Sequence, residues 1–126
     1  MSNKFIVEII SPEQTILKKE TNEVIIPSYE GQMGILKDHI PLITFLRPGI
    51  IEINKKNKIF VEDGTIEFYD NNLLILSATA ISIDSLEKNR IKEKIEEAQK
   101  QLSKKEIDDK QRYILNHKID TLNSLN

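Results

Sequence analysis

The sequence predicts a β + α protein in which an N-terminal antiparallel β-sandwich, residues 1–83, precedes a C-terminal antiparallel two-helix hairpin, residues 84–126. Three observations predict this division. All four glycines and all four prolines lie before residue 65, where they can form turns. The first segment carries 19 charged residues, and the second, only about half as long, also carries 19. Apolar residues form short runs in the first segment and recur at helical spacing in the second.

Short apolar or alternating runs between turn residues predict eight strands in the first segment. Closely spaced strands with short connections favour two antiparallel sheets packed face to face. The run 73–76 is apolar at every position, so we expect a central strand that is covered on both faces. The predicted strands are residues 5–10, 14–18, 23–26, 41–46, 50–54, 58–62, 65–69 and 73–76.

Glycine and proline positions predict the turns between these strands. Gly31 and Gly34 indicate a tight, bulged turn, because glycine tolerates positive φ and close backbone approach. In the Arg-Pro-Gly segment 47–49, proline and glycine occupy the two central positions of a predicted type II turn. The Asp-Gly pair at 63–64 is favoured in two-residue β-hairpins.

The second segment predicts two short amphipathic helices joined by a tight turn, with one long helix as the alternative. Asp84 with Glu87, and Ser103 with Glu106, each have the spacing of a capping box that would begin a helix. Each helix carries an apolar stripe that can pack against the other. The stripes are Leu86, Ile91, Ile95, Ala98 and Leu102 in the first helix and Ile107, Ile114, Leu115, Ile119 and Leu122 in the second.

The stretch 29–49 combines several residues that no ordinary turn requires. They are Glu30-Gly31-x-Met33-Gly34-Ile35, then His39-x-Pro41-Leu42-x-Thr44, then Pro48-Gly49. This combination resembles the signature loop of the epsilon subunit of bacterial F-type ATP synthases, the small subunit of the central stalk. The resemblance continues in register from residues 7–13 to the charged tail. It implies a non-catalytic subunit that couples rotation of the membrane ring to ATP synthesis.

The resemblance also implies two docking regions on the sandwich, one for the gamma subunit and one for the polar loops of the c-subunit rotor ring. The matching residues are Ser11, His39 and Ile43 for gamma and Glu30, Gly31 and Gln32 for the rotor ring. Gln32 stands where many relatives carry a second acid, so this chain loses some charge attraction there. The hairpin, if extended, is expected to contact the beta and alpha subunits.

Many bacterial members of this family bind ATP at the start of the first helix, through Ile or Leu, Asp, two variable residues, Arg and Ala. The matching segment here, 86–91, is Leu-Glu-Lys-Asn-Arg-Ile. Arg90 is retained and can hold phosphate, whereas Glu87 is longer than aspartate and Ile91 is larger than alanine. The next arginine is Arg112. We therefore expect weak or absent ATP binding and no other cofactor; the alternative role of Arg90 is that of a surface arginine.

Composition excludes several other classes of function. The chain has no cysteine, and its two histidines, His39 and His117, have no nucleophile or metal-ligand partner at a recognisable spacing, so no catalytic or metal site is expected. A net charge of −2 gives no general attraction to nucleic acid. No apolar run approaches the ~20 residues that span a bilayer, and residues 1–6 lack a signal-peptide pattern. The resemblance implies peripheral attachment to the cytoplasmic face of the bacterial inner membrane, through the complex.

Two other functions compete with this interpretation. The main alternative is a free-standing helical-hairpin adaptor or inhibitor, and a small nucleotide hydrolase is the third. In the family that the chain resembles, the hairpin inhibits ATP hydrolysis when its second helix extends between gamma and the catalytic subunits. The chain ends at Asn126, whereas long-tailed relatives continue, so we expect a weak or conditional brake.

Overall fold

The computed structural model describes residues 3–125; residues 1, 2 and 126 of the two predicted segments lie outside it. The described strands are β1 Phe5–Ile10, β2 Thr15–Thr21, β3 Glu23–Ser28, β4 Gly31–Leu36, β5 Leu42–Leu46, β6 Gly49–Ile53, β7 Asn57–Val61, β8 Gly64–Tyr69, β9 Asn72–Leu76 and β10 Ile81–Ser82. A short 3₁₀ turn, Ile83–Ser85, follows them. The helices are α1 Lys88–Leu102 and α2 Asp109–Ser124. The β-sandwich followed by a helical hairpin is therefore confirmed, and the single long helix is wrong.

The strands form one continuous sheet that curls so that its two halves face each other. Their order is β10-β7-β6-β3-β5-β8-β9-β1-β2, and β4 pairs with β3 beside this path. The halves meet where β3 touches β5, through the pair Ser28 and Leu46. Neighbouring strands run antiparallel except β1 and β9, which are parallel. One parallel pair thus interrupts the otherwise antiparallel arrangement that the sequence predicts.

Alternate residues of the strands fill the space between the two halves, as the period of a strand requires. In β1, Phe5, Val7 and Ile9 are buried, whereas Ile6 is 38% exposed. The Phe5 ring meets Phe68 of β8 edge to face, with ring centres 5.7 Å apart. The same core includes Val24, Ile26, Ile35, Leu46, Ile51, Ile53, Ile59, Val61, Ile66, Leu73 and Ile75.

A second apolar cluster joins the hairpin to the outer face of β6, β7 and β10. Its buried members are Phe60, Leu86, Ile91, Ile95 and Leu122, with Ile50, Ile81, Ile83 and Leu125 at its border. Phe60 lies between Ile59 and Val61, which face the sandwich core, so β7 is covered on both faces. The double cover predicted for residues 73–76 is wrong. In β9, Leu73 and Ile75 are buried, but Leu76 is 44% exposed because no helix lies over that half of the sheet.

Two of the predicted turns are wrong, and the third forms beside Gly31 but does not include Gly34. Gly31 and Gly34 both lie in β4, an added strand that pairs with β3 in register; Gly31 has φ of 116° at its start, and Gly34 has no positive φ. Gly49 also lacks positive φ and begins β6, so segment 47–49 is not a type II turn. The Asp-Gly pair at 63–64 links β7 to β8, which pair with other strands and form no hairpin.

Two helices form as predicted, but neither begins at its predicted capping box. Asp84 lies in the 3₁₀ turn, and Glu87, the N-cap of α1, makes no capping hydrogen bond. The N-cap of α2 is Asp108: its carboxylate accepts from the Gln111 N–H at 2.7 Å, and Gln111 Oε1 accepts from the Asp108 N–H at 3.2 Å. Ser103 instead ends α1. The chain needs the residues between these two caps to reverse direction, so α2 begins later than the first capping signal indicates.

Candidate interaction surfaces

An apolar strip crosses the outer face of β5, β8, β9 and β1. Residues directly opposite on neighbouring strands share a face, and the register sets Phe45 opposite Thr65, Thr65 opposite Leu76, and Leu76 opposite Ile10. Phe45 is 60% exposed. We call Ile10, Ile43, Phe45, Leu74 and Leu76 the outer apolar face. Among residues 3–125 no helix or strand covers that face, which makes it a candidate docking surface.

The residues expected to face gamma border this outer apolar face. Ile43 lies within it and is 78% exposed, opposite Glu67 of β8. Ser11 follows Ile10 at one end, where its hydroxyl donates to the Gln14 carbonyl oxygen at 3.1 Å. His39 lies at the other end. The structure thus brings Ser11 and Ile43 onto one side of the sandwich, with His39 at its edge.

His39 also has a role inside the chain. Its Nδ1 is 2.7 Å from the Ile40 carbonyl oxygen, so that nitrogen donates a hydrogen bond. The ring meets Phe68, a core residue, edge to face at 5.8 Å. His39 therefore closes one end of the sandwich core in addition to lying at the border of the outer apolar face.

The residues expected to face the rotor ring lie at the end of the β3–β4 turn and the start of β4. The Ser28 hydroxyl donates to the Gly31 carbonyl oxygen at 2.7 Å and accepts from the Glu30 N–H at 3.2 Å. Glu30 and Gln32 are exposed, and a Cβ added at Gly31 would have no neighbour within 4 Å. The turn is thus rigid and open to a partner. Its positive φ at Gly31 strains any other residue there.

A groove of about 930 Å³ joins the two regions. Its walls include Ile10, Phe45 and Leu76 of the outer apolar face, the neighbouring Ser11, and Tyr29 from the β3–β4 turn. Lys110 of α2 and Asp63 also line it and give it two charged borders. The groove therefore extends from the outer apolar face to Tyr29, which precedes the three residues expected to face the rotor ring.

Tyr29 also contacts the hairpin. Its ring stacks on Tyr113 of α2 with centres 5.8 Å apart, and the Tyr113 hydroxyl donates to the Tyr29 carbonyl oxygen at 3.4 Å. Tyr113 in turn packs edge to face on His117, at 4.4 Å. Burial, with the nearby charge of Arg47, lowers the pKa of His117, although Asp120 opposes that shift. The turn and α2 form one aromatic contact.

The segment that resembles the ATP motif holds paired charges. Arg90 Nη1 lies 3.4 Å from Glu93 Oε2, and Lys94 Nζ lies 3.3 Å from Glu62 Oε2. Glu87 lines the same depression of about 540 Å³. Ile91 is turned into the cluster under the helices and is 3% exposed. A phosphate group bound here would meet two cationic side chains, Arg90 and Lys94, that already have carboxylate partners.

Residues 3–125 contain neither a cluster of metal ligands nor a membrane-spanning helix. No group of three or more His, Cys, Asp or Glu side chains is placed to hold a metal ion. Among the helices of that range, none combines the length and the apolarity needed to cross a bilayer.

Comparison with known proteins identifies the family. Residues 4–83 match the family model described as "ATP synthase, Delta/Epsilon chain, beta-sandwich domain". The ATP synthase epsilon chain of Pelagibacter ubique is 43% identical over the full length of both chains. The chain belongs to the ATP synthase epsilon-chain family. A second epsilon chain, from Parvibaculum lavamentivorans, is 32% identical over 99% of this chain and 97% of its own length.

Solved structures agree with the epsilon-chain fold. A chain of the Euglena gracilis mitochondrial ATP synthase, in an assembly titled OSCP/F1/c-ring, matches with a TM-score of 0.78 at 22% identity, over 98% of this chain and 82% of that one. A chain of the Tetrahymena thermophila mitochondrial ATP synthase, titled central stalk/c-ring, matches with a TM-score of 0.64 at 14% identity, over 94% and 93%. At these identities the likeness concerns the fold.

Sequence reasoning missed part of the candidate surface of this epsilon chain. Phe45, Leu76 and Ile10 were not named as docking residues, although they form most of the outer apolar face. The sequence does contain a signal for this face. In the runs 42–46 and 73–76, apolar residues stand at both odd and even positions, so both faces of each strand are apolar. A strand of this kind needs cover on two sides, and here the second cover is absent from the chain itself.

Proposed function

We propose that this chain is the non-catalytic epsilon subunit of the central stalk in a bacterial, proton-translocating F-type ATP synthase. The sandwich docks on gamma and on the c-subunit ring, and so couples ring rotation to ATP synthesis. The subunit is peripheral, at the cytoplasmic face of the plasma membrane. The match to an epsilon chain over the full length carries this proposal. It gives no support to a free-standing adaptor or inhibitor.

Gamma docks on the outer apolar face. Ile43 and Phe45 are the most exposed large side chains of that face, and each loses contact with water when a partner covers it. Ile43→Glu or Phe45→Glu should therefore weaken gamma binding at least about tenfold, because a charge would be buried at the interface, while folding stability stays the same. Calorimetric titration of purified gamma into each variant measures this.

Leu36→Glu is the matched control, because Leu36 is 56% exposed but lies on β4, in the other half of the sheet. Its gamma affinity should equal that of the unaltered chain. Equal losses in all three variants would place the gamma interface elsewhere.

The rotor ring docks on the β3–β4 turn. Glu30 is exposed, so its replacement changes the surface that a partner meets and leaves the packing of the turn unaltered. Glu30→Lys should therefore reduce proton-coupled ATP synthesis without loss of folding stability. Glu20→Lys, an exposed exchange on the edge strand β2, serves as the control. Full coupling of proton flow to ATP synthesis in assemblies that carry Glu30→Lys would show that this segment is an ordinary turn and not a docking site.

ATP is not a regulatory ligand of this subunit. Arg90 and Lys94 already have carboxylate partners, and Ile91 fills the space beside them. Calorimetry of the chain with Mg-free ATP should detect no binding in the micromolar range. Micromolar affinity that disappears in Arg90→Ala would mean that the motif still works.

The hairpin is a conditional brake on ATP hydrolysis. In the closed form Leu86, which precedes α1, packs against the sandwich together with Ile91 and Ile95 of α1 and Leu122 of α2, and their burial stabilises that form. An extended hairpin, which would contact the beta and alpha subunits, must give up these contacts. Truncation after Ser85 should therefore change hydrolysis by the assembled motor only slightly. A several-fold rise with synthesis unchanged would identify a strong brake.

A further inference from the structure

Glu62 stands where the sandwich meets both helices of the hairpin. It follows β7 directly, and its backbone N–H donates to the Thr79 hydroxyl oxygen at 2.9 Å, which fixes the base of the side chain. Its Oε1 lies 2.6 Å from Lys118 Nζ of α2, and its Oε2 lies 3.3 Å from Lys94 Nζ of α1. One carboxylate therefore ties both helices to the sandwich.

These three groups are sheltered from water. The side chains of Glu62, Lys94 and Lys118 are 24%, 21% and 15% exposed. By contrast, the pair Arg90–Glu93 lies within α1 and is more than 60% exposed on both sides. Sheltered ion pairs are screened less than exposed ones. Without the carboxylate, two ammonium groups would remain close together without their counter-charge, which is strongly unfavourable.

The packing beneath these groups allows the hairpin to leave as one body. The cluster between hairpin and sandwich, around Phe60 and Leu122, is separate from the core between the two half-sheets. The two helices also pack on each other. Separation of the hairpin would expose Phe60 and its neighbours but leave the sandwich core intact. The sandwich can thus stay folded while the hairpin is closed or released.

We propose that Glu62, Lys94 and Lys118 form a latch that holds the closed hairpin on the sandwich, and that removal of the Glu62 charge releases both helices together. This inference rests on the proposed function of the hairpin as a conditional brake, because release must precede any contact of α2 with other subunits. Glu62 is the shared member of both ion pairs, so it controls the latch more strongly than either lysine alone.

The expected effect on hairpin opening depends on how far the Glu62 ion pairs are shielded from water. An exposed ion pair contributes little, whereas breaking a fully buried one is strongly destabilising. The Glu62 site lies between these limits. Glu62→Gln should therefore raise the ratio of open to closed hairpin about tenfold, and Lys118→Met, which leaves the Glu62–Lys94 pair in place, should raise it less.

The absence of cysteine from the chain allows a direct measurement. Lys56→Cys on the β6–β7 connection and Asn116→Cys on α2 are both exposed and can carry spin labels. Electron-electron double resonance on the full-length labelled chain then gives the distance distribution between sandwich and hairpin. We expect one short, narrow distance in the parent and an added broad, longer population in Glu62→Gln.

Glu93→Gln is the matched control, because it removes a glutamate that pairs only within α1 in the contacts seen here. It should keep the parent distribution. Glu62→Lys should open the hairpin, and adding Lys118→Glu should restore much of the closed population by re-forming the pair with opposite signs. An unchanged distribution in Glu62→Gln, or equal opening in Glu62→Gln and Glu93→Gln, overturns the latch.

Lys118→Met keeps the test decisive if Glu62→Gln disturbs folding, because it leaves the sandwich sequence unaltered. Opening in that variant supports the latch, and a fully closed hairpin overturns it. These measurements use the free chain and need no motor. A latch that fails while truncation still alters hydrolysis would reject only the latch, whereas a working latch without any effect on hydrolysis would reject only the brake.

Discussion

A methyl group added at Gly49 would stand 2.5 Å from Cβ of Pro27 and 2.8 Å from its Cγ, closer than carbon atoms can approach. A methyl group at Gly34 would have no neighbour within 4 Å. Both glycines lack positive φ, so neither is needed for a special backbone conformation. Gly49 is required by the close approach of β3 and the β5–β6 turn, whereas nothing within this chain requires Gly34.

We predict that Gly49→Ala lowers the free energy of unfolding by about 1–3 kcal/mol, because the rigid proline ring cannot move away from the added methyl group. Gly34→Ala should change it by less than ~0.5 kcal/mol. Urea unfolding of the two variants beside the parent checks both values. Equal effects would mean that the sheet relaxes around Gly49.

A second prediction at the residue scale concerns pH. Burial and the charge of Arg47 lower the pKa of His117 while the hairpin is closed, against the opposing charge of Asp120. The open form therefore binds a proton on His117 more tightly than the closed form does. Above the ordinary pKa of 6.5, His117 is neutral in both forms and closure is unaffected. As pH falls below that value, protonation favours the open form and closure weakens. The open population should rise between about pH 7 and pH 5.

The spin-label pair at positions 56 and 116 measures this rise in the free chain. The uncharged groups facing His117 are Tyr113 on α2 and, across the stack, Tyr29 on the β3–β4 turn. His117→Gln removes the titrating group and should flatten the profile in this range. A profile that persists in His117→Gln would assign the proton to another group.

Glu62 adds to this effect only in stronger acid. Burial raises its pKa, but the hydrogen bonds and charges of Lys118 and Lys94 outweigh burial, so the pKa of Glu62 is lowered. Its stabilisation of the closed form is present above its ordinary pKa of 4.5 and is lost as pH falls through the lowered value. The two groups act in the same direction but in separate pH ranges.

At the scale of elements, the start of α2 depends on a cap that local pattern reading placed five residues too early. Asp108 and Gln111 satisfy each other's backbone N–H groups, whereas Ser103 ends α1 and Asp84 caps no α-helix. Aspartate and serine are both good caps by themselves. Which of them begins a helix is decided by where the chain can reverse so that α1 and α2 pack on each other and Leu122 reaches the sandwich.

We predict that Asp108→Ala destabilises the hairpin by about 1 kcal/mol, because it removes the bond to the Gln111 N–H. Asp84→Ala should have no measurable effect on α1. Amide hydrogen exchange in the first turn of each helix reports these changes locally. Faster amide exchange in the first turn of α1 in Asp84→Ala would show that Asp84 caps this helix, as the sequence predicts.

At the scale of the whole molecule, the sandwich has its own core and the hairpin is attached through a second, smaller cluster. We predict that a fragment of residues 1–83 unfolds in one cooperative transition and binds gamma as tightly as the full chain, since the outer apolar face contains no hairpin residue. Loss of gamma binding by the folded fragment would move the interface to the hairpin.

The fragment exposes Phe60, Ile50 and Ile81, which the hairpin covers in the full chain, so it should be less soluble. Phe60→Gln in the fragment controls for this, because it removes the largest exposed ring and leaves the core between the half-sheets unaltered. The converse fragment, residues 84–126, should show little helix by circular dichroism, because so short a hairpin buries too little surface by itself.

The sequence by itself determined the elements whose signals are local. Periodicity predicted eight of the ten described strands, all except β4 and β10, and both helices, because alternation and the helical stripe are properties of neighbouring residues. The residues of the signature loop identified the family. The same local signals failed where glycine or a cap could serve two purposes: Gly34 lies within β4 and not in a turn, and the pair 63–64 crosses between strands of different partners.

Only the tertiary structure decided which apolar faces are covered and which charges meet. The runs 57–61 and 73–76 both belong to central strands, yet the hairpin covers β7 and leaves Leu76 of β9 exposed. Nothing in its sequence context distinguishes Glu62 from a solvent-facing strand residue, yet it binds lysines 32 and 56 residues later in the chain. Whether a strand face is covered, and which charged side chains pair, depends on distances between segments that are remote in sequence. The pattern of residues adjacent in sequence carries no information about those distances.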